Sequence, residues 1–163
     1  MTGDLLQHTH LDGIADYTAA LDTLCKLAQH NLYLFEKDYD GLGFNSEVRY
    51  ETLRQFLLAD PANRLFVLAH DMHYLSTRCP RMTMLLRQFD SRMSIHQTAK
   101  HLLHLTAPFC VADNAHYVRR FHFSDPRGLL AQNDPENART LEALFLEMWA
   151  NSHPAKPTTT LGL

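Results

Sequence analysis

The chain lacks paired cysteines, a long apolar run, internal repeats and low-complexity tracts, and each absence excludes a class of protein. Its three cysteines (Cys25, Cys79 and Cys110) are odd in number and form no CxxC pair. A disulfide framework is therefore excluded, and three thiols in a reducing cytoplasm are expected. No segment approaches the ~20 consecutive apolar residues of a membrane span. The start, Met-Thr-Gly-Asp-Leu-Leu, has neither the basic residues nor the apolar run of a signal peptide, so secretion is not expected and a cytoplasmic location is. No HExxH and no Cys-His grouping occurs, which removes the common metal signatures and leaves no cofactor expected.

What is present suits one globular domain spanning residues 1–163, with 153–163 expected as a loosely held tail. Apolar residues make up 45% and charged residues 20%, enough to build a single core and too few charges for disorder. Charge is segregated. Residues 1–60 carry 4 basic and 10 acidic side chains, and residues 61–127 carry 9 and 4. Seven of the 11 histidines lie in that basic middle.

Helix and strand signals alternate along the chain. Asp12 reads as a cap before a stripe of Tyr17, Leu21, Leu24 and Ala28. The apolar runs Asn31–Glu36 and Arg64–Ala69 suit strands buried on both faces. Ser46 caps a helix carrying Tyr50, Leu53 and Leu57. Pro80 opens another with Met82, Leu85, Leu86 and Phe89. Arg92–Gln97 alternates as a strand, and residues 98–105 predict a turn or two of helix. Pro108–Asp113 and His116–Phe123 read as a hairpin through Asp113-Asn114, with Tyr117, Phe121 and Phe123 towards the core. Gly128–Ala131 is a short final strand. Asp134-Pro135 opens the last helix, whose stripe is Ala138, Leu141, Phe145, Met148 and Trp149. The order predicts an α/β domain of three layers, with helices on both faces of a mixed, mostly parallel sheet of five to seven strands.

The stretch from Pro108 through Ser152 resembles the C-terminal half of a phospholipase D-like domain. Its marks are Pro-Phe-Cys-Val-Ala-Asp-Asn, His-Tyr-Val-Arg-Arg and a closing helix ending near a Trp. The preceding alternation also fits, so the resemblance covers nearly the whole chain. More narrowly, Arg-Arg-x-His-Phe and the Thr-Thr-Leu-Gly-Leu ending are similar to an uncharacterised bacterial family often appended to GNAT-type acetyltransferase domains. The superfamily's chemistry uses HxKxxxxD followed by GSxN, with the histidine as nucleophile and the lysine on phosphate. If Asp113 is the motif aspartate, Thr106 stands at the histidine and Pro108 at the lysine. The GSxN window falls on Arg120-Phe121-His122-Phe123. The resemblance thus implies a module without catalytic residues. Its expected role is interaction or regulation, as a homodimer or beside an acetyltransferase partner.

Two groups of residues remain candidates. Arg119, Arg120, His122 and Arg127 form the densest cationic cluster, with Arg120, His122 and His116 on one strand face. They could retain an anion site for a phosphate-bearing ligand, or simply pair with carboxylates such as Asp125 and Asp113. A modest basic region in an acidic chain is a weak nucleic-acid signature. Glu36, His70 and Asp71 stand at strand carboxyl ends, where open α/β sheets bind ligands, and Asp113 completes the pocket-lining set. The alternative for these is ordinary capping and local hydrogen bonding. The pairs His70/His73, His101/His104 and His8/His10 do not converge in a metal pattern. Cys79, between Arg78 and Pro80-Arg81, is the one thiol in an electropositive setting.

Overall fold

A computed structural model describes residues 5–155. In chain order the elements are β1 (Gln7–Leu11), α1 (Ile14–Leu27), β2 (Asn31–Glu36), α2 (Glu47–Ala59), β3 (Arg64–Ala69), α3 (His73–Thr77) and α4 (Pro80–Gln88). There follow β4 (Met93–Gln97), a 3₁₀ turn (Lys100–Leu102), β5 (Phe109–Ala112), β6 (His116–His122), β7 (Asp125–Gln132), α5 (Pro135–Ala150) and β8 (His153–Pro154). No helix among the described residues is long and apolar enough to cross a membrane.

The strands form one eight-stranded sheet in the order β1-β7-β6-β5-β2-β3-β4-β8. Only β2–β3 and β3–β4 are parallel pairs, and the other five are antiparallel. The mostly parallel sheet expected from the sequence is thus corrected to a mixed, mostly antiparallel one. Helical crossovers α2 and α3–α4 impose parallel pairing on β2, β3 and β4. After β4 the chain instead returns through a turn to β5, which slots antiparallel against β2. Two tight hairpins then lay down β6 and β7. Asp113 (φ 59°) and Asn114 (φ 57°) form the first of these turns, with Ala115 N–H donating to the Ala112 carbonyl at 3.0 Å.

Alternation along the central strands divides the core in two. Leu32, Leu34, Leu65 and Val67 face α1, α2 and α4, where Leu21, Leu24, Leu53, Leu57, Met82 and Leu85 meet them. Tyr33, Phe35, Leu68, Val111 and Tyr117 face α5 and its stripe of Ala138, Phe145 and Met148. On the first side, buried Arg49 of α2 ties α1 down through Asp22 (2.7 Å) and the Thr18 carbonyl (3.2 Å).

Capping follows the sequence at Ser46, which accepts from Arg49 N–H, and at Asp134, which accepts from Asn137 N–H. The first helix differs. Its cap is Gly13, one residue past Asp12, with no side-chain bond. β1 was not expected at all, since Gln-His-Thr-His has neither apolar alternation nor a continuous apolar run. Phe121, placed by alternation towards the core, is 61% exposed, in the irregular pairing between Arg120 and His122 where the regular register of β6 with β7 ends. His153–Pro154 pairs with β4 and Ala155 N–H donates to the Ile95 carbonyl at 2.9 Å, while residues 156–163 of the expected tail, with the Thr-Thr-Leu-Gly-Leu ending, lie outside the described residues.

Candidate functional site

The parallel strands β2, β3 and β4 bring their carboxyl ends to one edge of the sheet. β5 runs against β2 and β6 against β5, so β6 runs with β2 and ends at the same edge. The topology thus carries Glu36, His70 and Gln97 together with Arg120 and His122, residues far apart in sequence. Between them lies a cleft of about 820 Å³. Its walls are completed by Thr106 and Phe123 and by the loop after β2, where Lys37, Asp38 and Asp40 form a rim. Buried Tyr39 anchors that loop, its hydroxyl lying 2.8 Å from the Leu34 carbonyl and 2.9 Å from that of Leu68.

A buried ion pair forms the deepest part of the cleft. Glu36 and Arg120 are 1% and 5% exposed, and Arg120 Nη2 donates to Glu36 Oε1 at 2.8 Å. The Tyr17 hydroxyl of α1 donates to Glu36 Oε2. The guanidinium lies 4.4 Å above the Tyr17 ring, and its Nη1 reaches the Phe123 carbonyl at 3.2 Å. Burial pushes the Glu36 carboxyl up to about 7, against the opposing pull of Arg120 and Tyr17. Arg120 is thus bonded to Glu36 through Nη2 and to the Phe123 carbonyl through Nη1, while its buried Nε has no hydrogen-bond partner among the described residues.

His70 is held at both ring nitrogens. Nε2 lies 2.7 Å from the Leu105 carbonyl, which only an N–H can satisfy, so Nδ1 accepts from the Thr98 hydroxyl at 2.6 Å. Burial lowers the pKa of His70, in keeping with this neutral tautomer. The ring thereby pins the 98–105 segment as one wall of the cleft, packed edge-on against Phe35 and Phe123. His122 is oriented otherwise. Its Nδ1 accepts from the Ser124 backbone N–H at 3.0 Å, which leaves the proton on Nε2. Asp71, at the rim, accepts from His73 N–H at 2.8 Å.

The remaining sequence candidates lie elsewhere. Asp113 sits at the opposite end of the sheet, because β5 is antiparallel to β2. There its carboxylate accepts from the backbone N–H groups of Gln29 (2.8 Å), His30 (2.8 Å) and Asn31 (3.1 Å). Arg127 pairs with Asp125 on the surface at 2.8 Å and holds that carboxyl at about 2. Arg119 is exposed on the α5 side of β6, opposite in face to Arg120. His116 lies at the far end of β6, with Nδ1 accepting from Asn133 N–H. The four hairpin cations are therefore dispersed over two faces, and of them only Arg120 and His122 line the cleft.

Cys79 is buried, and burial raises its thiol pKa, the reverse of an activated nucleophile. No group of three or more His, Cys, Asp or Glu among the described residues is arranged to hold a metal. Sequence reasoning missed Tyr17, Asp38, Asp40 and Lys37. The last three follow directly on the end of β2, so the strand-end rule that found Glu36 would have reached them. Nothing local marks Tyr17.

Comparison with solved structures places this architecture. The chain is similar to the phospholipase D family member Nuc from Salmonella typhimurium (TM-score 0.64, 9% identity), covering 93% of this chain and 98% of that one. It is similar also to NucT from Helicobacter pylori (TM-score 0.62, 8% identity), covering 93% and 100%. A further likeness is to TrmBL2, an archaeal chromatin protein described as showing a novel mode of DNA binding (TM-score 0.67, 12% identity). It covers 91% of this chain, which spans only 54% of TrmBL2. The fold is phospholipase D-like. Within it, residues 14–161 match the domain of unknown function DUF7931, and the chain belongs to that family. A search of curated proteins finds no match.

Proposed function

We propose that this domain keeps the cleft of a phospholipase D-like fold without its phosphodiester chemistry, and works as an interaction or regulatory module. The observation that carries the reading is what lines the cleft. Thr106, at the position the resemblance assigns to the nucleophile, offers a hydroxyl in place of an imidazole, and its carbonyl accepts from Phe123 N–H at 2.8 Å. Pro108, at the lysine position, is buried and has no cation to offer. Arg120 is taken up by Glu36, and His70 by Leu105 and Thr98. What remains is a binding surface with a mixed rim of Lys37, Asp38, Asp40 and Asp71. In this reading the module works in a reducing cytoplasm beside an acetyltransferase partner.

The test is hydrolysis of an activated phosphodiester, of single- and double-stranded DNA and of phospholipid vesicles by the purified chain. No turnover above buffer is expected. Turnover abolished by His122→Ala or Thr106→Ala would overturn the reading. A second reading takes a phosphate-bearing ligand or nucleic acid on the β6–β7 hairpin. It draws on the DNA binding described for TrmBL2 and on the exposed Arg119 and His122. Anisotropy of labelled oligonucleotides would show salt-dependent binding lost in Arg119→Ala with His122→Ala. Unchanged affinity in that double variant would refute it.

A further inference from the structure

The sheet has two edges, and they are built differently. At one end β8 has two residues, one of them Pro154, which blunts the edge by length and by its missing N–H. At the other, β1 offers five residues, Gln7–Leu11, whose outer side no described strand pairs. Edge strands that must stay solitary usually carry charge, proline or a bulge, or lie under a helix or loop. β1 has none of these. Its residues include no Lys, Arg, Asp, Glu or Pro, although charged residues make up a fifth of the chain. It pairs with β7 without a register shift. Gln7, His8, Thr9 and His10 are exposed, with Gln7 and Thr9 on one face of the sheet and His8 and His10 on the other, where Asp134 at the start of α5 lies 3.4 Å from His8 Nε2. Leu5 and Leu6, 76% and 55% exposed, extend the same segment and supply apolar area beside it.

We propose that the outer edge of β1 is a self-association surface, whose partner is the β1 of a second copy. An antiparallel strand pair about a two-fold axis is self-complementary, so one sequence can satisfy both sides of the interface. Centring the axis on Thr9 pairs all five residues, with His8 opposite His10 of the second copy. The two sheets become one sixteen-stranded sheet. The axis lies beyond the outermost strand, so both clefts stay open and neither copy completes the other's site. This surface is independent of the cleft and of the ligand it takes.

The experiment is sedimentation of the full chain from micromolar to submillimolar concentrations, for wild type, Thr9→Lys, Thr9→Glu and an equimolar mixture of the two variants. Thr9 is exposed, and circular dichroism checks that each variant remains folded. Wild type is expected to dimerise reversibly. Either variant sets like charges opposite each other at the axis and weakens self-association by about tenfold or more. Mixing them sets Lys against Glu and restores the dimer. A wild type that stays monomeric over the whole range would overturn the proposal. So would a dimer insensitive to both substitutions, or one that the mixture does not restore.

Discussion

Replacing Glu36 by glutamine should change how stability depends on pH, and by an amount the structure sets. Burial raises the Glu36 carboxyl from its ordinary 4.5 to about 7, while Arg120 and the Tyr17 hydroxyl pull the other way. The folded chain therefore holds this proton more tightly than the unfolded chain does. The stabilisation that the proton brings is complete below about 4.5 and is lost as pH rises through about 7. That gap corresponds to about 3 kcal/mol, at 1.36 kcal/mol per pH unit. Glutamine is nearly isosteric, keeps an oxygen for Arg120 and does not titrate. Urea unfolding of wild type and Glu36→Gln at matched pH cancels every other titrating group. Wild-type stability minus variant stability should fall by about 3 kcal/mol between about pH 4 and pH 8, most of it between 4.5 and 7. A flat difference would refute the reasoning. A difference rising with pH would show that Arg120 and Tyr17 outweigh burial, with Glu36 ionised well below 4.5. Arg120→Met supplies the companion result. With the cation gone, the loss should be about 3–5 kcal/mol at alkaline pH and smaller in acid, where a protonated Glu36 needs no counter-ion.

Further substitutions test the supports around the cleft. Gly128 stands where an added Cβ would meet the Arg119 carbonyl oxygen at 2.1 Å, beside the irregular pairing that follows Arg120. Gly128→Ala should cost about 2 kcal/mol or more in urea unfolding and displace the hairpin, whereas an unchanged midpoint would contradict that close approach. His70→Phe keeps the packing against Phe35 and Phe123 but leaves the Leu105 carbonyl without its donor. Amide exchange across residues 98–106 should quicken selectively, and a uniform change along the chain would argue against a local wall. Asp113→Ala removes the acceptor for three backbone N–H groups and should cost about 1–3 kcal/mol without touching the cleft, while Asp113→Asn recovers part of it. A selective loss of cleft binding with unchanged stability would overturn that assignment.

Much of the scaffold was legible because its residues advertise their burial. β2 and β3 are continuous apolar runs, and α5 carries a cap, a proline and a full stripe. The direction of β5 was not legible, since Phe-Cys-Val-Ala reads the same in either orientation. The shortness of the helical piece expected between β4 and β5, a turn or two at most, was the one clue that no parallel crossover joins them. That single reversal moved Asp113 to the far end of the sheet and carried β6 to the cleft. β1 was invisible for another reason: an exposed edge strand buries almost nothing, and burial is what imprints a pattern. Of the site, the strand-end rule found Glu36, His70 and Asp71. The alternation of β6 put Arg120 and Tyr117 on opposite faces of the strand. It could not say that Arg120 turns inward, because its partner lies 84 residues away on β2.

β2 is the hinge of this architecture in a temporal sense as well. It takes β3 on one side and β5 on the other, yet β3 ends at Ala69 and β5 begins at Phe109. During synthesis the Asn31–Glu36 strand, with five of its six residues buried in the finished sheet, must wait for forty further residues before its second edge is closed. Over that interval the nascent chain presents an apolar edge that any extended peptide could occupy. The Glu36 carboxylate has no cation until Arg120 has emerged. The pairing of this central strand is thus completed only by contacts of long sequence separation, which the β5–β6 hairpin supplies.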